Sequence, residues 1–241
     1  VDFYDISIRN VISSGVVSAA SFLPRCYNQL GGNPGYAVDN EFCAFFNRDL
    51  SGQIVNLRQV FSNTSAARNR GIDIQAEYQL KLAEKGKGAF IDHIALRGLV
   101  TVLLNARQQV LSTDPFIDFV GTIGSGTASP FYRVRSTASI ELGGANWEVG
   151  SRWRYTGPMT NNSLLTDPAA ATSVGTPGFS YFDIYASIKV NDQLSFNAGV
   201  NNLLDTDPPI FSNAQLNTNT NATFFDIIGR QLFFRRKIRF K

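Results

Sequence analysis

The sequence predicts an all-β fold, a portion of a transmembrane antiparallel β-barrel with about eight long strands. Three observations predict it: apolar and polar residues alternate strictly in several segments, the connections between these segments are alternately long and short, and no segment shows the spacing of a convincing amphipathic helix. Successive side chains of a strand point to opposite faces, so strict alternation indicates strands with one apolar and one polar face.

The alternation is clearest from Gly71 to Leu82, where every even position is apolar and the odd positions are Gly71, Asp73, Gln75, Glu77, Gln79 and Lys81. The same period recurs around residues 134–142, 147–155, 182–190 and 194–201, and more loosely in 90–105. The predicted strands occupy 1–10, 68–82, 89–105, 130–142, 147–156, 179–190, 194–204 and 228–240. Within the first long connection, "GQIVNLRQV" predicts a small hairpin near 53–62.

The connections alternate in length along the chain. The long ones are 11–67, 106–130, 157–178 and 205–222, and the short ones are 83–89, 143–146 and 191–193. Outer-membrane barrels have this arrangement, with tight periplasmic turns and extended outer loops, and a closed barrel satisfies every backbone group in lipid. A soluble lipocalin-like barrel would keep its apolar face inside, but here the polar face carries many charged residues: Asp73, Glu77, Arg97, Arg133, Arg135, Arg152 and Arg154.

Composition argues against several other classes of protein. The 241 residues carry a formal charge of only +3, so no nucleic-acid partner is expected. His93 is the only histidine, and no Ser/His/Asp or paired-carboxylate arrangement stands out, so we predict no enzyme activity and no cofactor. We interpret His93 as a polar residue of the lumen or of a turn, and predict no metal site.

The segment "FSYFDIYASIKVNDQLSFNAGVNNLLDTDPP" (179–209) resembles the penultimate hairpin of the TonB-dependent receptors. In that family an aromatic-Asp strand, a tight Asn-Asp turn and a strand ending in Asn-Asn precede an outer loop with proline. "FDIIGRQLFFRRKIRF" resembles the family's last strand, "VDFYDISIRNVISS" an upstream strand, and "RNRGIDIQAEYQL" the strand that follows a Cys-bearing loop. Asn201-Asn202 would then mark the exit into an outer loop, where Pro208-Pro209 prevent further ladder hydrogen bonds.

The resemblance implies the last third of a 22-stranded barrel, with residues 1–241 as its C-terminal segment and the plug domain outside this chain. It also implies a receptor in the bacterial outer membrane that binds a scarce nutrient, such as a siderophore, a vitamin or an oligosaccharide, and imports it to the periplasm. The implied partners are the lipid bilayer, the TonB complex acting through the plug, the remaining barrel strands or another chain, and the nutrient.

Other functions stay open at this point. A passive outer-membrane pore or structural barrel would have the same strands without energy coupling, and eight strands can also close by themselves. An outer-membrane hydrolase would need a serine partner for His93.

The predicted barrel, with its outer loops and inner wall, has two sets of candidate site residues. Cys26 and Cys43 are expected to form a disulfide in an outer loop that faces an oxidising compartment. Arg133, Arg135, Arg152 and Arg154 would all point inward if their strands pair through the turn at 143–146. Such a charged wall could attract an anionic ligand, or it could contact acidic groups on a plug.

The opposite face is expected to contact lipid as one apolar belt: Ile72, Ile74, Leu96, Val102, Ile140, Val149, Ile184, Ile188, Phe196, Val200, Leu232 and Phe234. Trp147, Trp153, Tyr155 and Tyr132 would lie toward its margins, where amphipathic rings prefer the interface. Arg236 shares this face, near mid-height, where an arginine costs about 2–4 kcal/mol. Either a bulge shifts the register of the last strand, or Arg236 pairs with a neighbouring protein.

Overall fold

The structure is a computed structural model, and it describes residues 1–13, 19–29, 31–58, 62–84, 89–109, 114–124, 130–166, 168–211, 219–222 and 224–239. These residues form mainly β-structure. The strands are β1 (Asp2–Ser13), β2 (Asn47–Arg48), β3 (Ile54–Val55), β4 (Ser62–Lys81), β5 (His93–Gln109), β6 (Ile117–Asp118), β7 (Thr122–Ile123), β8 (Val134–Gly143), β9 (Trp147–Thr156), β10 (Met159–Asn161), β11 (Gly175–Thr176), β12 (Phe179–Lys189), β13 (Leu194–Asn201) and β14 (Gln231–Ile238). The helices are α1 (Ala19–Cys26) and α2 (Ser163–Thr166), with single 3-10 turns at Cys43–Phe45 and Pro168–Ala170.

Eight long strands form one sheet in the order β1-β4-β5-β8-β9-β12-β13-β14, and β6 adds to β5. This confirms the predicted fold class and all eight predicted strands. Long strands that are consecutive in the chain are neighbours in the sheet, and the five pairs from β5–β8 to β13–β14 are antiparallel. Among the described residues, β1 and β14 each have one neighbouring strand, so the sheet is open.

Local sequence explains the short turns. Between β12 and β13, the Asn191 side chain accepts hydrogen bonds from the backbone N–H groups of Gln193 and Leu194, both at 2.9 Å. Such an Asx turn is what an Asn at the start of a tight turn provides. The ammonium group of Lys189 donates a hydrogen bond to Asp192 at 2.7 Å, and this bond lowers the pKa of the Asp192 carboxyl.

Several sequence predictions differ from the structure in detail. The small hairpin is formed by β2 and β3, which pair around Asp49–Gln53, so it lies earlier than the predicted 53–62. One short helix, Ala19–Cys26, precedes it where none was expected. β4 begins at Ser62, six residues before the predicted start, and residue 240 of the last predicted strand lies outside the described residues.

The register places the predicted belt on one face of the sheet. Leu96 pairs with Ile140, Ile184 with Val200, and Val200 with Leu232. Trp153 and Tyr155 stack with ring centroids 5.7 Å apart on the same face, near the loop-side end of β9. Tyr132 is the exception: it precedes β8 and packs against a loop cluster instead of the belt, so its predicted place at the margin is wrong.

Arg236 lies on the apolar face without a bulge. It pairs with Phe196, and the β13–β14 register runs unbroken from Leu194 opposite Ile238 to Asn201 opposite Gln231, so the bulge alternative is wrong. Arg236 is the third residue from the end of β14, not at mid-height, which puts it about 7 Å from that end at the usual rise of a strand. This distance is short enough for the guanidinium group to reach the polar margin of a membrane along its aliphatic stem.

The chain divides into two compact units, of which one comprises residues 5–69 and 106–118. Its small core contains Phe22, Cys26, Phe42 and Phe46, and a disulfide joins Cys26 to Cys43, with their Cα atoms 5.0 Å apart. The hydroxyl of Ser51 and the backbone N–H of Gln53 both donate hydrogen bonds to the Asp49 carboxylate. These bonds, that of Ser51 most strongly, lower the pKa of the Asp49 carboxyl. Arg25, in α1, pairs with Asp114 at 2.6 Å.

The other unit comprises residues 1–4, 70–105 and 119–241 and contains most of the sheet. At its loop-side end the connections after β5, β9 and β13 build a second small core around Ile123, Met159, Phe211 and Phe225. β7, β10 and β11 form a three-stranded sheet beside these residues. No helix in the described part of the chain is long and apolar enough to cross a membrane.

Candidate functional site

The predicted arginines occupy the face of the sheet opposite the apolar belt. The register puts Arg135 opposite Thr156, Thr137 opposite Arg154 and Ser139 opposite Arg152, so Arg135, Arg152 and Arg154 share this polar face. Arg133 lies two residues before Arg135, just outside β8, where its backbone oxygen accepts from Leu103 at 2.9 Å. The structure therefore brings these arginines together on adjacent strands, as the sequence predicts.

Arg152 and Arg154 are bound to a single carboxylate of the next strand. Nε of Arg152 donates to Oδ2 of Asp183 at 2.8 Å, and Arg154 donates through Nε at 2.9 Å to Oδ2 and through Nη2 at 2.9 Å to Oδ1. The Arg154 guanidinium group also stacks over Tyr181, 5.0 Å from the ring centroid. Only 2% of Asp183 is exposed, because the two arginines cover it.

The fourth hydrogen bond to Asp183 comes from the residue at which β13 stops. The backbone N–H of Asn202 donates to Oδ1 of Asp183 at 3.0 Å, and Asn202 has a φ of +52°. Its fully buried side chain donates to Thr206 O at 3.0 Å and accepts from Thr206 N at 2.8 Å. A short polar side chain tolerates this left-handed conformation, and it closes the loop on itself as a backbone turn would. The strand thus ends at an Asn that is tied to the Arg152–Arg154–Asp183 cluster.

Arg135 has a different environment. Its guanidinium carbon lies 5.4 Å from the ring centroid of Tyr132 and 5.8 Å from that of Phe224, and these two rings stack 6.3 Å apart. Cation–π contacts of this kind orient a guanidinium group without neutralising its charge. Among the described residues, neither Arg133 nor Arg135 makes a salt bridge, and both are exposed.

Sequence reasoning missed Asp183 as the residue that organises this face. Its carboxylate is buried against the neighbouring strand β9. The pairing of β9 with β12 is the signal that could have identified it. In this pairing Asp183 lies directly opposite Arg152, and Tyr181, two residues earlier in the chain, lies opposite Arg154. The strand-by-strand reading did not set the register of these two strands, so it could not show this pairing.

Charged residues of the polar face in β4 and β5 also have partners. Nε of Arg97 donates to Glu77 at 3.0 Å, and Nη1 of Arg97 lies 3.7 Å from Glu141. The Thr101 hydroxyl donates to Asp73 at 2.7 Å, which fixes β4 with Asp73 on the polar face and therefore Ile72 and Ile74 on the apolar one. Arg133 and Arg135 are the members of the predicted set that keep charge available for a ligand.

Comparison with known proteins agrees with this arrangement. The family model described as "TonB dependent receptor-like, beta-barrel" matches residues 1–203. No curated protein sequence matches the chain. Among solved structures, "Copper transporter OprC" is similar at a TM-score of 0.47 and 16% identity, over 81% of this chain and 26% of that chain. The chain thus spans about a quarter of the length of that structure.

The family match covers most of the chain and coincides with the antiparallel sheet, the alternating loops and turns, and the two opposite faces described above. The polar face of the sheet carries charged residues that form pairs. Along β8, β9, β12, β13 and β14, Arg236 is the one charged residue on the apolar face. The chain belongs to the TonB-dependent receptor-like β-barrel family and is part of a bacterial outer-membrane protein.

Proposed function

We propose that residues 1–241 form the C-terminal segment of the barrel of a TonB-dependent active transporter, with the plug domain outside this segment. The transporter takes up a scarce small-molecule nutrient from outside the cell and is driven by the TonB complex. The family match over residues 1–203 is the observation that carries this proposal. The open sheet agrees with it, because the end strands β1 and β14 require further strands beside them to satisfy their backbone groups in lipid.

The nutrient, in this proposal, is anionic and contacts Arg133 and Arg135. Both arginines lie at the loop-side end of β8, and Arg135 is held on two aromatic rings that leave its charge unneutralised. A guanidinium group presents donors in a planar fork that suits carboxylate and phosphate groups. Arg152 and Arg154 are hydrogen-bonded to Asp183, so in this proposal they stabilise the sheet and do not contact the nutrient.

Uptake by cells tests the proposal. The full-length protein that carries this chain is expressed with and without TonB, and accumulation is measured for labelled ferric siderophores, cobalamin and oligosaccharides. An active transporter accumulates one of these only when TonB is present. Equal accumulation without TonB indicates the rival function, a passive pore, and contradicts the proposal.

The arginines are tested in the same cells. Arg133→Gln combined with Arg135→Gln is expected to lower the affinity for the transported compound by about tenfold, the effect of losing one or two charge-assisted hydrogen bonds. Arg97→Gln is the matched control, because it removes one charge from the same face at a residue that is already paired with Glu77. If the double variant keeps full affinity but changes the release of the plug, these arginines hold the plug instead of the nutrient.

A further inference from the structure

Three side chains with metal-binding atoms converge at the turn-side end of the polar face. His93 is the first residue of β5 and lies opposite Gly143, which in turn lies opposite Glu148 at the start of β9. Glu141 is two residues before Gly143, so it points to the same face. One ligand atom from each of His93, Glu141 and Glu148 lies within 4.8 Å of the others.

Gly143 makes this convergence possible. A Cβ atom at position 143 would overlap Cε1 of His93 and come within 2.5 Å of its Nε2. The imidazole ring therefore lies across the glycine, in the space between β5 and β9 that a side chain of β8 would otherwise fill.

Asp92 fixes the orientation of the imidazole. Its Oδ1 lies 2.5 Å from Nδ1 of His93. A carboxylate accepts, so Nδ1 is the donor in this hydrogen bond, and Nε2 is the ring nitrogen left for a metal ion. The backbone of Asp92 is itself fixed, because its oxygen accepts from Leu82 at 2.8 Å and its N–H donates to Gly143 at 2.8 Å.

The charge of Asp92 is a second, independent observation. Its side chain is 4% exposed, and its Oδ2 is buried without a hydrogen-bond partner among the described residues. A buried carboxylate is costly unless a positive charge compensates it. A cation coordinated by the His93 imidazole would supply such a charge.

The two glutamates are oriented by their own neighbours. The Tyr185 hydroxyl donates to Glu141 Oε2 at 3.3 Å, and the Ser187 hydroxyl donates to Glu148 Oε2 at 3.3 Å. Nη1 of Arg97 lies 3.7 Å from Glu141 while its Nε donates to Glu77, and Lys81 and Glu84 line the same cavity as His93 and Glu148. Among the described residues, no hydrogen bond reaches the other oxygen, Oε1, of either glutamate, and this is the atom available to a cation.

We propose that His93, Glu141 and Glu148 bind a divalent transition-metal ion, and that Asp92 is the positioning residue for His93. One imidazole nitrogen, two carboxylate oxygens and water form a ligand set that suits Zn²⁺. Ligand atoms around a tetrahedral Zn²⁺ lie about 3.4 Å apart, so rotation of the glutamate side chains closes the cluster on the ion. The ion joins β5, β8 and β9 on the side where the connections are short. This site departs from the sequence prediction for His93, and it does not depend on the proposed transport function.

Zinc titration tests the site. The full-length protein that carries this chain is purified in detergent, treated with EDTA, and titrated with Zn²⁺ in a calorimeter. The unmodified protein is expected to bind one Zn²⁺ more than His93→Ala does. Glu148→Gln is expected to weaken that site at least tenfold, and Asp92→Asn about 10–100-fold, as removal of a supporting carboxylate does elsewhere. Glu77→Gln is the matched control, because it is isosteric with Glu148→Gln on the same face.

Zinc-edge X-ray absorption is measured on the unmodified protein, so its result does not depend on whether a variant folds. One imidazole and two or three oxygen ligands are expected. The proposal is overturned if the unmodified protein takes up no Zn²⁺, if His93→Ala binds as many ions as tightly, or if the absorption spectrum shows no imidazole. None of these readouts measures uptake, so they remain informative whether or not the transport proposal holds.

Discussion

β8 and β9 each present an Arg-apolar-Arg motif, "RVR" at 133–135 and "RWR" at 152–154, yet the two motifs have different roles. The β9 pair shares the carboxylate of Asp183, which is 2% exposed, and makes three charge-assisted hydrogen bonds with it. The β8 pair is exposed. Within the described residues, Arg135 contacts two aromatic rings, and neither arginine of the pair makes a salt bridge. The difference comes from neither motif. It comes from β12, which places an acidic residue beside one pair and not beside the other.

This comparison shows that a charge pattern on a strand does not by itself identify a binding surface. Two arginines that are locked to a buried carboxylate stabilise the sheet and offer little charge to a ligand. Two exposed arginines of the same spacing remain able to exchange water for a ligand. The following variants separate the two roles, from the largest expected effect to the smallest.

The largest effect is expected from replacing Asp183, the carboxylate that Arg152 and Arg154 share, because the β9 arginines then lose the partner that the β8 arginines never had. Asp183→Asn is expected to lower the free energy of unfolding by about 3 kcal/mol, because two guanidinium groups and the Asn202 N–H lose an ionised acceptor. Urea unfolding in detergent, followed by tryptophan fluorescence, measures the change. Asp73→Asn is the control, since its carboxylate accepts from Thr101 at 2.7 Å, and about 1 kcal/mol is expected there. Equal losses for the two variants would contradict the role given to Asp183.

The anchor of the loop is the next target. Asn202→Ala removes two buried hydrogen bonds to Thr206 and places a less tolerant residue at positive φ, so a loss of about 2 kcal/mol is expected. Asn202→Gly separates the two causes, because glycine tolerates the backbone conformation without restoring the bonds. Unfolding curves of both variants are compared with that of the unmodified protein. A glycine variant as stable as the unmodified protein would show that the side-chain bonds do not matter.

Removal of one arginine from each motif compares them directly. Arg154→Gln is expected to cost about 1–2 kcal/mol, because it removes two charge-assisted bonds and the stacking on Tyr181. Arg133→Gln is expected to change the free energy of unfolding by less than about 0.5 kcal/mol, as surface substitutions usually do. Both variants are measured in the same urea titration. If Arg133→Gln destabilises as strongly as Arg154→Gln, the β8 motif is structural too.

The smallest effect concerns the aromatic support of Arg135. Arg135→Lys keeps the charge but replaces the planar group that lies over Tyr132 and Phe224, so the loss is about 0.5 kcal/mol. Tyr132→Leu should give a similar loss of the cation–π contact, and combining the two variants should add little. A double-mutant cycle on the free energy of unfolding measures this coupling. Fully additive losses would mean that the ring and the guanidinium group are not coupled.

Much of the fold could be predicted because it depends on local patterns. Strict alternation in segments such as Gly71 to Leu82 requires strands with one apolar face, and the connection lengths fix which strand ends lie on the same side. The end of β13 was also readable, because Asn-Asn followed by a Pro-Pro pair cannot continue a ladder. The hairpin β2–β3 was displaced and helix Ala19–Cys26 was missed, since short elements in long loops depend on what they pack against.

The sequence alone determined the strands, their two faces, the alternation of loops and turns, and the resemblance to an outer-membrane receptor barrel, because each follows from residues close together in the chain. Only the tertiary structure decided which charges pair, because ion pairs join neighbouring strands and depend on a register that no single strand specifies. The register united Arg152 and Arg154 with Asp183, left Arg133 and Arg135 exposed, and set Arg236 opposite Phe196. It also brought His93 over Gly143 toward Glu148, although His93 lies 50 residues before Gly143 in the chain.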